Sequence, residues 1–417
     1  MLCLLERRSS LLRKLMLPAI AAALFSTPLT EHSDAADAAK PASATPANKT
    51  LPKPTGDKIV SPDAKLEHLF TREANIQGGL SEGPAVAPDG SIYFTDIPVG
   101  ADPGMILRYD PATGHTAAFS IDSGKANGLI FDRQGFLLAC EGSDQGGRRV
   151  SRWNVKTGER TTVVDRIQGK RFNAPNDLCI DKKGRIYFTD PRYLGDEPRE
   201  LEHRAVYRID TDGSVMEITH EISKPNGIAL SPDEKTLYVA DHDNGTDKID
   251  PNAPPPKLGP MTIYAYPLGP DGKVNGKRKT IVDFGDQAGC DGMCVDESGN
   301  LYLTARSVKR PGVLVVDPSG KEIAFIPTGP ANQVTDANHP AVGMPSNVVF
   351  GLGEDLNMLY VTIDKSLYRI RLKAKGYHAE YAGAMSEKKQ TSTDERSTAP
   401  RPAGRLRRLA SGLALRK

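Results

Sequence analysis

Six oxygen-bearing side chains recur at one position of a repeated pattern, five residues before a turn. An apolar run follows each of them and leads into that turn. The six residues are Glu82, Asn127, Asn176, Asn226, Asp291 and Asn347, and the turns begin at Ala87, Asp132, Asp181, Ser231, Asp296 and, with a weaker match, Leu352. Carboxylate and amide oxygens are ligands for Ca²⁺ or Mg²⁺, whereas thiolate and imidazole favour zinc or copper. The pattern therefore predicts a site for a hard divalent cation.

The charge of the six residues fits such an ion. Glu82 and Asp291 together balance a charge of +2. Without a cation, two carboxylates facing each other across a channel would repel, and the pKa of at least one would rise. A single Asn before a strand is commonly a turn residue that satisfies nearby backbone groups. The shared position in six repeats favours a common site instead.

The elements that must position these residues are repeated hairpins. Residues 85–90 lead into 91–96, and residues 178–184 lead into 185–190 with the same apolar and turn pattern. A third strand follows in every repeat and a fourth in most, at a spacing of roughly 45 to 65 residues, which is typical of a β-propeller. We therefore predict an all-β, six-bladed β-propeller. Residues 65–72 are predicted to form an N-terminal strand that completes the last blade and closes the ring. Two β-sandwich domains are the competing architecture, against which the single regular repeat argues.

The chain outside the repeats is divided by composition. Residues 1–35 are predicted to be a signal peptide, because a basic start precedes an apolar stretch, 15–29, too short to span a membrane comfortably. An uncleaved anchor is the alternative. We expect a flexible linker over 36–62, the propeller over 63–383 and a disordered basic tail over 384–417, or alternatively a basic helix that touches an anionic surface. The protein is thus expected to be exported, periplasmic or extracellular, with no transmembrane span in its mature form.

Overall composition excludes several classes of protein. The net charge is +2 and 25% of residues are charged, and no basic patch interleaved with aromatics suggests nucleic-acid binding. Cysteines 140, 179, 290 and 294 do not form a dense disulfide framework or a zinc spacing, so we interpret them as small buried residues. Residues 79–83 match Gly-x-Ser-x-Gly, but they lead into a predicted strand and not into a helix, so we do not interpret them as the nucleophile elbow of a serine hydrolase.

Further polar residues lie around the predicted site. Asp96, Glu141, Asp190 and Asp241 stand at the end of the second strand of their repeats, on the same face as the six residues. They are interpreted as groups behind the metal ligands, as a second cation site, as substrate contacts or as caps of the following loops. Long loops on this face are expected to determine specificity, and Lys170, Arg171 and Asn173 would contact a polyol or acidic substrate.

Four motifs resemble the regucalcin and gluconolactonase family. They are residues 81–84 (SEGP), 170–177 (KRFNAPND), 224–233 (KPNGIALSPD) and 290–293 (CDGM), and the resemblance extends over about 65–375. It implies a six-bladed propeller with a catalytic divalent metal, often calcium, in the central channel. It also implies hydrolysis of lactones, with relatives that open organophosphates or aryl esters.

The resemblance also implies roles for single residues. Glu82, Asn176, Asn226 and Asp291 correspond to metal ligands, and Asp291 also to the catalytic acid/base. The family's substrate-binding arginine falls on Ala174, so Arg171 is the nearest substitute. Asn127 and Asn347, outside the usual ligand set, are assigned with Arg171 and Asn173 to substrate binding, and Asp190 and Asp241 to support behind the ligands.

The predicted function is metal-dependent hydrolysis of a small-molecule lactone or ester, with Ca²⁺ as the favoured ion. Two alternatives stay open. One is a non-catalytic, calcium-stabilised binding propeller of the cell envelope. The other is a phosphotriesterase, arylesterase or strictosidine-synthase-like enzyme on the same scaffold.

Overall fold

The structure is a computed structural model that describes residues 51–72, 79–248, 252, 254, 256–329 and 343–381. The predicted signal peptide, residues 36–50 of the predicted linker and the predicted tail over 384–417 lie outside the described residues. Within the described part of the chain, no helix is long and apolar enough to cross a membrane.

Nearly all regular structure is β-strand. The strands in chain order are β1 (Glu67–Thr71), β2 (Leu80–Val86), β3 (Ile92–Ile97), β4 (Met105–Asp110), β5 (His115–Ser120), β6 (Ala126–Phe131), β7 (Leu137–Glu141), β8 (Arg149–Trp153), β9 (Arg160–Val164), β10 (Arg166–Ile167), β11 (Lys170–Arg171), β12 (Leu178–Ile180), β13 (Ile186–Asp190), β14 (Ala205–Ile209), β15 (Val215–Thr219), β16 (Pro225–Leu230), β17 (Thr236–His242), β18 (Met261–Pro267), β19 (Lys279–Asp283), β20 (Cys290–Val295), β21 (Leu301–Ala305), β22 (Gly312–Val316), β23 (Glu322–Pro327), β24 (Pro345–Phe350), β25 (Met358–Ile363) and β26 (Ser366–Arg371). Short 3-10 helices lie at Gly353–Asp355 and Ala379–Tyr381.

Six four-stranded antiparallel sheets form the blades of a propeller, as predicted. Blades 1 to 5 are β2–β5, β6–β9, β12–β15, β16–β19 and β20–β23, each in chain order, and blade 6 is β24, β25, β26 and β1. The innermost strands contact one another in the cyclic order β2, β6, β12, β16, β20, β24 and β2 again. Apolar side chains pack between blades, for example Tyr302 on the second strand of blade 5 against Phe350 on the innermost strand of blade 6, with ring centroids 5.0 Å apart. The inner strands therefore surround a closed central channel.

The N-terminal strand closes the ring in blade 6, as predicted. β1 pairs antiparallel with β26, with Glu67 opposite Arg369, and these two side chains form an ion pair at 2.8 Å. Residues 51–62, which the sequence assigned to the linker, also contact the propeller where they are described. Thr55 bridges to Phe325 of blade 5, and Val60 is fully buried. The packed part of the chain thus begins before residue 63.

A bulge interrupts the first strand pair of five blades at similar points. The pairing register shifts between Glu82 and Ala85, Ala126 and Leu129, Pro225 and Ile228, Cys290 and Met293, and Pro345 and Asn347. In blade 3 the pairing begins only at Leu178. A bulge bends the strand and re-aims a side chain. The irregularity therefore lies at or beside five of the six residues that the sequence singled out, and the sixth, Asn176, lies just before the paired part of its blade.

A C-terminal segment, residues 376–381, crosses the end of the channel that lies opposite these bulges. Its polar contacts are Tyr377 N–H to Val295 O (3.1 Å), His378 Nε2 to Gly351 O (3.1 Å), Arg133 Nη2 to Ala379 O (3.4 Å) and Tyr381 O–H to Val86 O (3.0 Å). These partners belong to blades 5, 6, 2 and 1. Because blades 5 and 2 stand opposite each other in a six-fold ring, the segment passes across the channel axis. The sequence did not predict this segment.

The four cysteines in the described part of the chain are free thiols, as predicted. Cys140, Cys179 and Cys290 are buried and Cys294 is half-buried.

Candidate active site

The six residues, called the ring from here on, lie on neighbouring inner strands that approach very closely. In four blades a glycine follows the ring residue, and a Cβ added there would lie closer than 3.0 Å to the next blade. The overlaps are Gly83 with Asn127 O, Gly128 with Asp177 Oδ1, Gly227 with Asp291 O and Gly292 with Asn347 Cγ. The neighbouring blade thus leaves room only for glycine at these positions. The structure brings the ring residues of adjacent blades together at one mouth of the channel, which we call the ring face.

Hydrogen bonds between blades fix the backbone at this mouth. Gly128 N–H donates to Asn176 O at 2.7 Å, and Thr95 donates to Asn127 O at 3.0 Å. Ser346 donates to Ser81 O at 2.6 Å and so joins blade 6 to blade 1. The ring residues are therefore presented by rigid strand ends.

Carboxylates dominate the electrostatics of the mouth. Burial raises the pKa of Glu82 well above its ordinary value, and the negative charges of Asp291 and Asp177 raise it further, while Gly83 N–H and Arg306 oppose the rise. The Asp291 side chain is only 14% exposed, and its Oδ2 lies 3.0 Å from Arg306 Nη1. Three acids thus share a site with little water, an arrangement that a nearby cation stabilises.

Asp177 is the acid that the sequence reasoning missed. It lines the central channel and is buried. Burial raises its pKa to about 7, against the opposing hydrogen bonds from Leu178 N–H (2.9 Å) and Asn347 Nδ2 (3.4 Å). The sequence does carry a signal for it, because Asp177 stands directly after the ring residue Asn176, where four other blades have glycine.

The orientation of the Asn226 amide is set by a neighbouring loop. Its Nδ2 donates to the Tyr193 hydroxyl at 3.0 Å, and that hydroxyl donates to His242 O at 2.9 Å. No donor in the described residues bonds to Asn226 Oδ1, and the Asn176 side chain makes no hydrogen bond with them. Both amide oxygens are consequently available as ligands. Tyr193 was not identified from the sequence.

The other two ring asparagines differ from each other. Asn347 uses both ends of its amide within the protein, since Oδ1 accepts from Val348 N–H at 2.8 Å and Nδ2 donates to Asp177. Asn127 is half-buried, and its side chain has no hydrogen bond with the described residues. Of the two, only Asn127 presents a free amide to a substrate.

Asp190 and Asp241 hold the backbone that leads into ring residues. Asp190 accepts the N–H groups of Asn173 (2.8 Å) and Ala174 (2.6 Å), just before Asn176. Asp241 accepts those of Ser223 (3.0 Å) and Lys224 (2.8 Å), just before Asn226. Burial raises the pKa of both acids, that of Asp190 to about 7, and these hydrogen bonds oppose the rise. Their contacts place them behind the ring, where they act on it through the main chain.

Arg171 and Asn173 have partners in the loops of the ring face and none among the ring side chains. Arg171 Nη2 donates to Gly147 O at 2.7 Å. Asn173 is fully buried, and its Nδ2 donates to His203 O at 3.0 Å. Asn173 therefore supports the loops around the mouth.

Two further residues border Asp291 without having been identified from the sequence. Arg306 directly follows β21 and pairs with Asp291, as described above. His242 ends β17, its Nδ1 lies 3.0 Å from Cys290 O, and burial lowers its pKa. A carbonyl oxygen can only accept, so Nδ1 carries the proton. Both residues stand one position after the second-strand register that carries Asp96, Glu141, Asp190 and Asp241, and at this next position the repeats differ in sequence.

Comparison with known proteins places the chain in a family. Residues 80–365 match the family model described as SMP-30/Gluconolactonase/LRE-like region. The chain belongs to this family. It is 31% identical over 319 residues to a gluconolactonase of Zymomonas mobilis, covering 71% of this chain and 79% of that protein. It is 28% identical to the pentonolactonase XacC of Haloferax volcanii, covering 70% and 84%. The solved structure of XC5397 from Xanthomonas campestris, a gluconolactonase, superposes with a TM-score of 0.61 at 28% identity and covers 78% of this chain and 96% of that one.

The residues of the mouth fit a divalent cation of the kind the family implies. Glu82 and Asp291 offer carboxylate oxygens, and Asn176 and Asn226 offer amide oxygens with no competing donor among the described residues. The crowding of negative charge that raises the pKa of Glu82 is relieved by a cation. Within the described part of the chain, no three His, Cys, Asp or Glu side chains group so as to hold a metal. The two asparagines would therefore complete the ligand set.

Proposed function

We propose that this protein hydrolyses lactones at the ring face, with a divalent cation held by Glu82, Asn176, Asn226 and Asp291. The observation that carries the proposal is the meeting of two carboxylates and two free amide oxygens at one end of a propeller channel. Relatives named gluconolactonase and pentonolactonase support a lactone as the substrate. The all-oxygen donor set favours Ca²⁺.

A cation held by these four residues would supply Lewis-acid polarisation of the lactone carbonyl. Asp291 takes a proton from the attacking water, and water oxygen forms the new bond to the carbonyl carbon. The ring C–O bond then breaks, and Asp291 returns the proton to the departing alkoxide, which gives a hydroxy acid. Arg306 contacts Asp291 Oδ2 and orients the carboxylate, which would bind the cation through one oxygen only.

The test is hydrolysis of a panel of sugar lactones by the wild type and by Asp291→Asn. Loss of the proton acceptor should lower kcat by about 10² to 10⁴-fold, while circular dichroism and thermal unfolding stay close to those of the wild type. Asp286→Asn is the matched control, because Asp286 is exposed on the same stretch of chain. Activity of Asp291→Asn at the wild-type level would remove Asp291 from the mechanism.

Metal dependence is tested on the same panel. Treatment with EDTA should abolish turnover, and added Ca²⁺ should restore it, with Mg²⁺ and Mn²⁺ as comparison ions. Turnover of aryl esters or phosphotriesters in place of lactones would indicate the esterase alternative. Absence of metal-dependent turnover on all three substrate classes would favour a binding propeller.

Export also belongs to the proposal and is supported by the basic and apolar pattern of residues 1–35. Fractionation of cells that express the full chain should recover it outside the cytoplasm. Recovery in the cytoplasm alone would contradict export and leave the hydrolase proposal intact.

A further inference from the structure

Three arginines from separate segments of the ring face come together beside the mouth. Arg148 lies between β7 and β8, Arg171 ends β11, and Arg192 follows β13. Arg148 and Arg192 are almost completely buried, with 4% and 3% of their surface exposed. Burial lowers the pKa of Arg148, and the positive charges of Arg171 and Arg192 lower it further, as expected for three neighbouring guanidinium groups. We call these three residues the arginine cluster.

Several donors of the arginine cluster have no acceptor. Each guanidinium makes some bonds to main-chain carbonyls, such as Arg148 Nε to Phe172 O at 2.8 Å and Arg192 Nη2 to Gly195 O at 2.5 Å. Yet Arg148 Nη2, Arg171 Nε and both Nε and Nη1 of Arg192 are buried without a hydrogen-bond partner among the described residues. A buried donor left unbonded costs about 1 to 3 kcal/mol, and more when it is charged. Four such donors in one place point to a missing acceptor.

The acids around the arginine cluster are engaged elsewhere. Asp190 accepts two main-chain N–H groups, as described above. Glu197 accepts Gln145 N–H at 2.7 Å, and Glu200 accepts Arg171 N–H at 2.9 Å. Arg192 reaches Glu197 only at 3.4 Å, and neither of the other two arginines forms an ion pair with a described carboxylate. The neighbouring acids therefore lower the net charge but leave the donors unbonded.

The position of the arginine cluster relates it to the ring. Arg148 donates a hydrogen bond to Phe172 O. The positive charges of Arg148 and Arg192 both lower the pKa of Asp190. Asp190 in turn accepts the N–H groups of Asn173 and Ala174. Two residues further along the chain lies the ring residue Asn176. The cluster thus borders the same mouth as the proposed metal ligands, on the side of blades 2 and 3.

We infer that the arginine cluster binds an anionic group of the substrate, so that the preferred substrates are lactones that carry a phosphate or carboxylate away from the lactone ring. Guanidinium groups present paired N–H donors that match the oxygens of both anions. This inference rests on the proposed lactone hydrolysis for the identity of the substrate. The anion site itself rests on the unbonded donors of Arg148 and Arg192. Neither residue contacts the ring side chains, so this site is separate from the proposed metal ligands.

The test compares D-gluconolactone with its terminal phosphate ester and with a lactone that bears a terminal carboxylate. The wild type should favour one or both charged substrates by at least about tenfold in kcat/KM, mostly through KM. Arg148→Met and Arg192→Met should each lose about 10 to 100-fold on the charged substrate, the range for a hydrogen bond to a charged group, and change little on D-gluconolactone. Arg310→Met is the matched control, because it removes an arginine from the same face at blade 5. Equal kinetics of the variants and the wild type on all substrates would overturn the inference.

A binding measurement separates this inference from the proposed function. Inorganic phosphate should raise the thermal unfolding temperature of the wild type and of Arg310→Met, and should not raise that of Arg148→Met or Arg192→Met. An equal rise in all four proteins, or none in the wild type, would contradict the anion site. A selective rise without hydrolysis of any lactone would keep the anion site and refute the proposed function. If the methionine variants fail to fold, Arg148→Lys and Arg192→Lys replace them. These variants keep the positive charge but lose the paired N–H donors, so their kcat/KM on charged substrates should also fall below that of the wild type.

Discussion

At the scale of single residues, Asp177 combines an unusual environment with a place next to the proposed metal ligands. It lines a channel cavity of about 100 Å³ whose walls are largely apolar strand residues. Because burial raises the pKa of Asp177 to about 7, its carboxyl group is partly ionised near neutral pH, and nearby charges change the ionised fraction. A cation at Glu82 and Asp291 would favour the ionised form of Asp177.

The pH dependence of stability should report this environment. In the folded, metal-free protein the pKa of Asp177 lies above its unfolded value of about 4. The native state therefore binds the proton more tightly than the unfolded state does. Asp177 lowers the free energy of unfolding least below about pH 4, and lowers it increasingly as the pH rises towards 7. Asp177→Asn removes this dependence. Its free energy of unfolding relative to the wild type should rise by up to about 1.4 kcal/mol per pH unit between about pH 4 and 7 and then level off.

Urea unfolding of both proteins in EDTA, from pH 5 to pH 8, checks this expectation. The exposed Asp286→Asn should show no such trend. A difference between Asp177→Asn and the wild type that stays constant across this range would show that Asp177 does not titrate there.

At the scale of elements, the site depends on bulged inner strands that touch through glycines. The bulge turns the ring residue towards the mouth, and the following glycine lets the next blade approach. Gly227 has an ordinary backbone conformation, so its φ does not require glycine. Among the described residues, glycine is required there because Asp291 O approaches the place that a Cβ would occupy.

Gly227→Ala should therefore move blade 5 relative to blade 4 at the ring. Because the displaced backbone belongs to Asp291, we expect kcat to fall by about 10²-fold and the free energy of unfolding to fall by about 1 to 3 kcal/mol. Steady-state kinetics and urea unfolding measure both effects. Gly213→Ala is the control, since Gly213 has a φ of +83° and open space around it. It should lose about 1 kcal/mol of stability and no activity. Full activity of Gly227→Ala would show that the ring tolerates a wider spacing.

The same scale separates what the sequence predicts from what it does not. The strands, the blade number and the ring follow from repetition, because each blade must bury the same faces and make the same turn. Tyr193, Arg306, Arg148 and Arg192 lie in segments that differ between blades, so no repeated position identifies them, whereas the KRFNAPND motif predicts Arg171 as a substrate contact. The importance of Asp177 depends on burial inside the finished channel, and the segment 376–381 finds its contacts only once four blades are in place.

At the scale of the whole molecule, the propeller is held closed by a strand from the other end of the chain. Without β1, the edge of β26 would be open, with unpaired backbone groups along its length. The ion pair of Glu67 with Arg369 and the buried Val60 add further contacts across this closure.

A chain that starts at residue 79 should therefore be less stable than one that starts at residue 51. We expect the shorter chain to unfold at least about 5 °C lower, the shift that follows from losing a few kcal/mol in a domain of this size. We also expect it to associate through its open edge. Calorimetry and size-exclusion chromatography of the two chains test this, and identical unfolding temperatures would show that β1 is dispensable for closure.

The segment that spans the far opening of the channel has a consequence for turnover. Because this segment obstructs the far opening, the hydroxy acid has to leave through the same opening by which the lactone enters. Incoming and outgoing molecules then compete for one passage. Accumulating product should accordingly act as a competitive inhibitor, and the rate of its escape sets an upper bound on how fast the cycle can repeat.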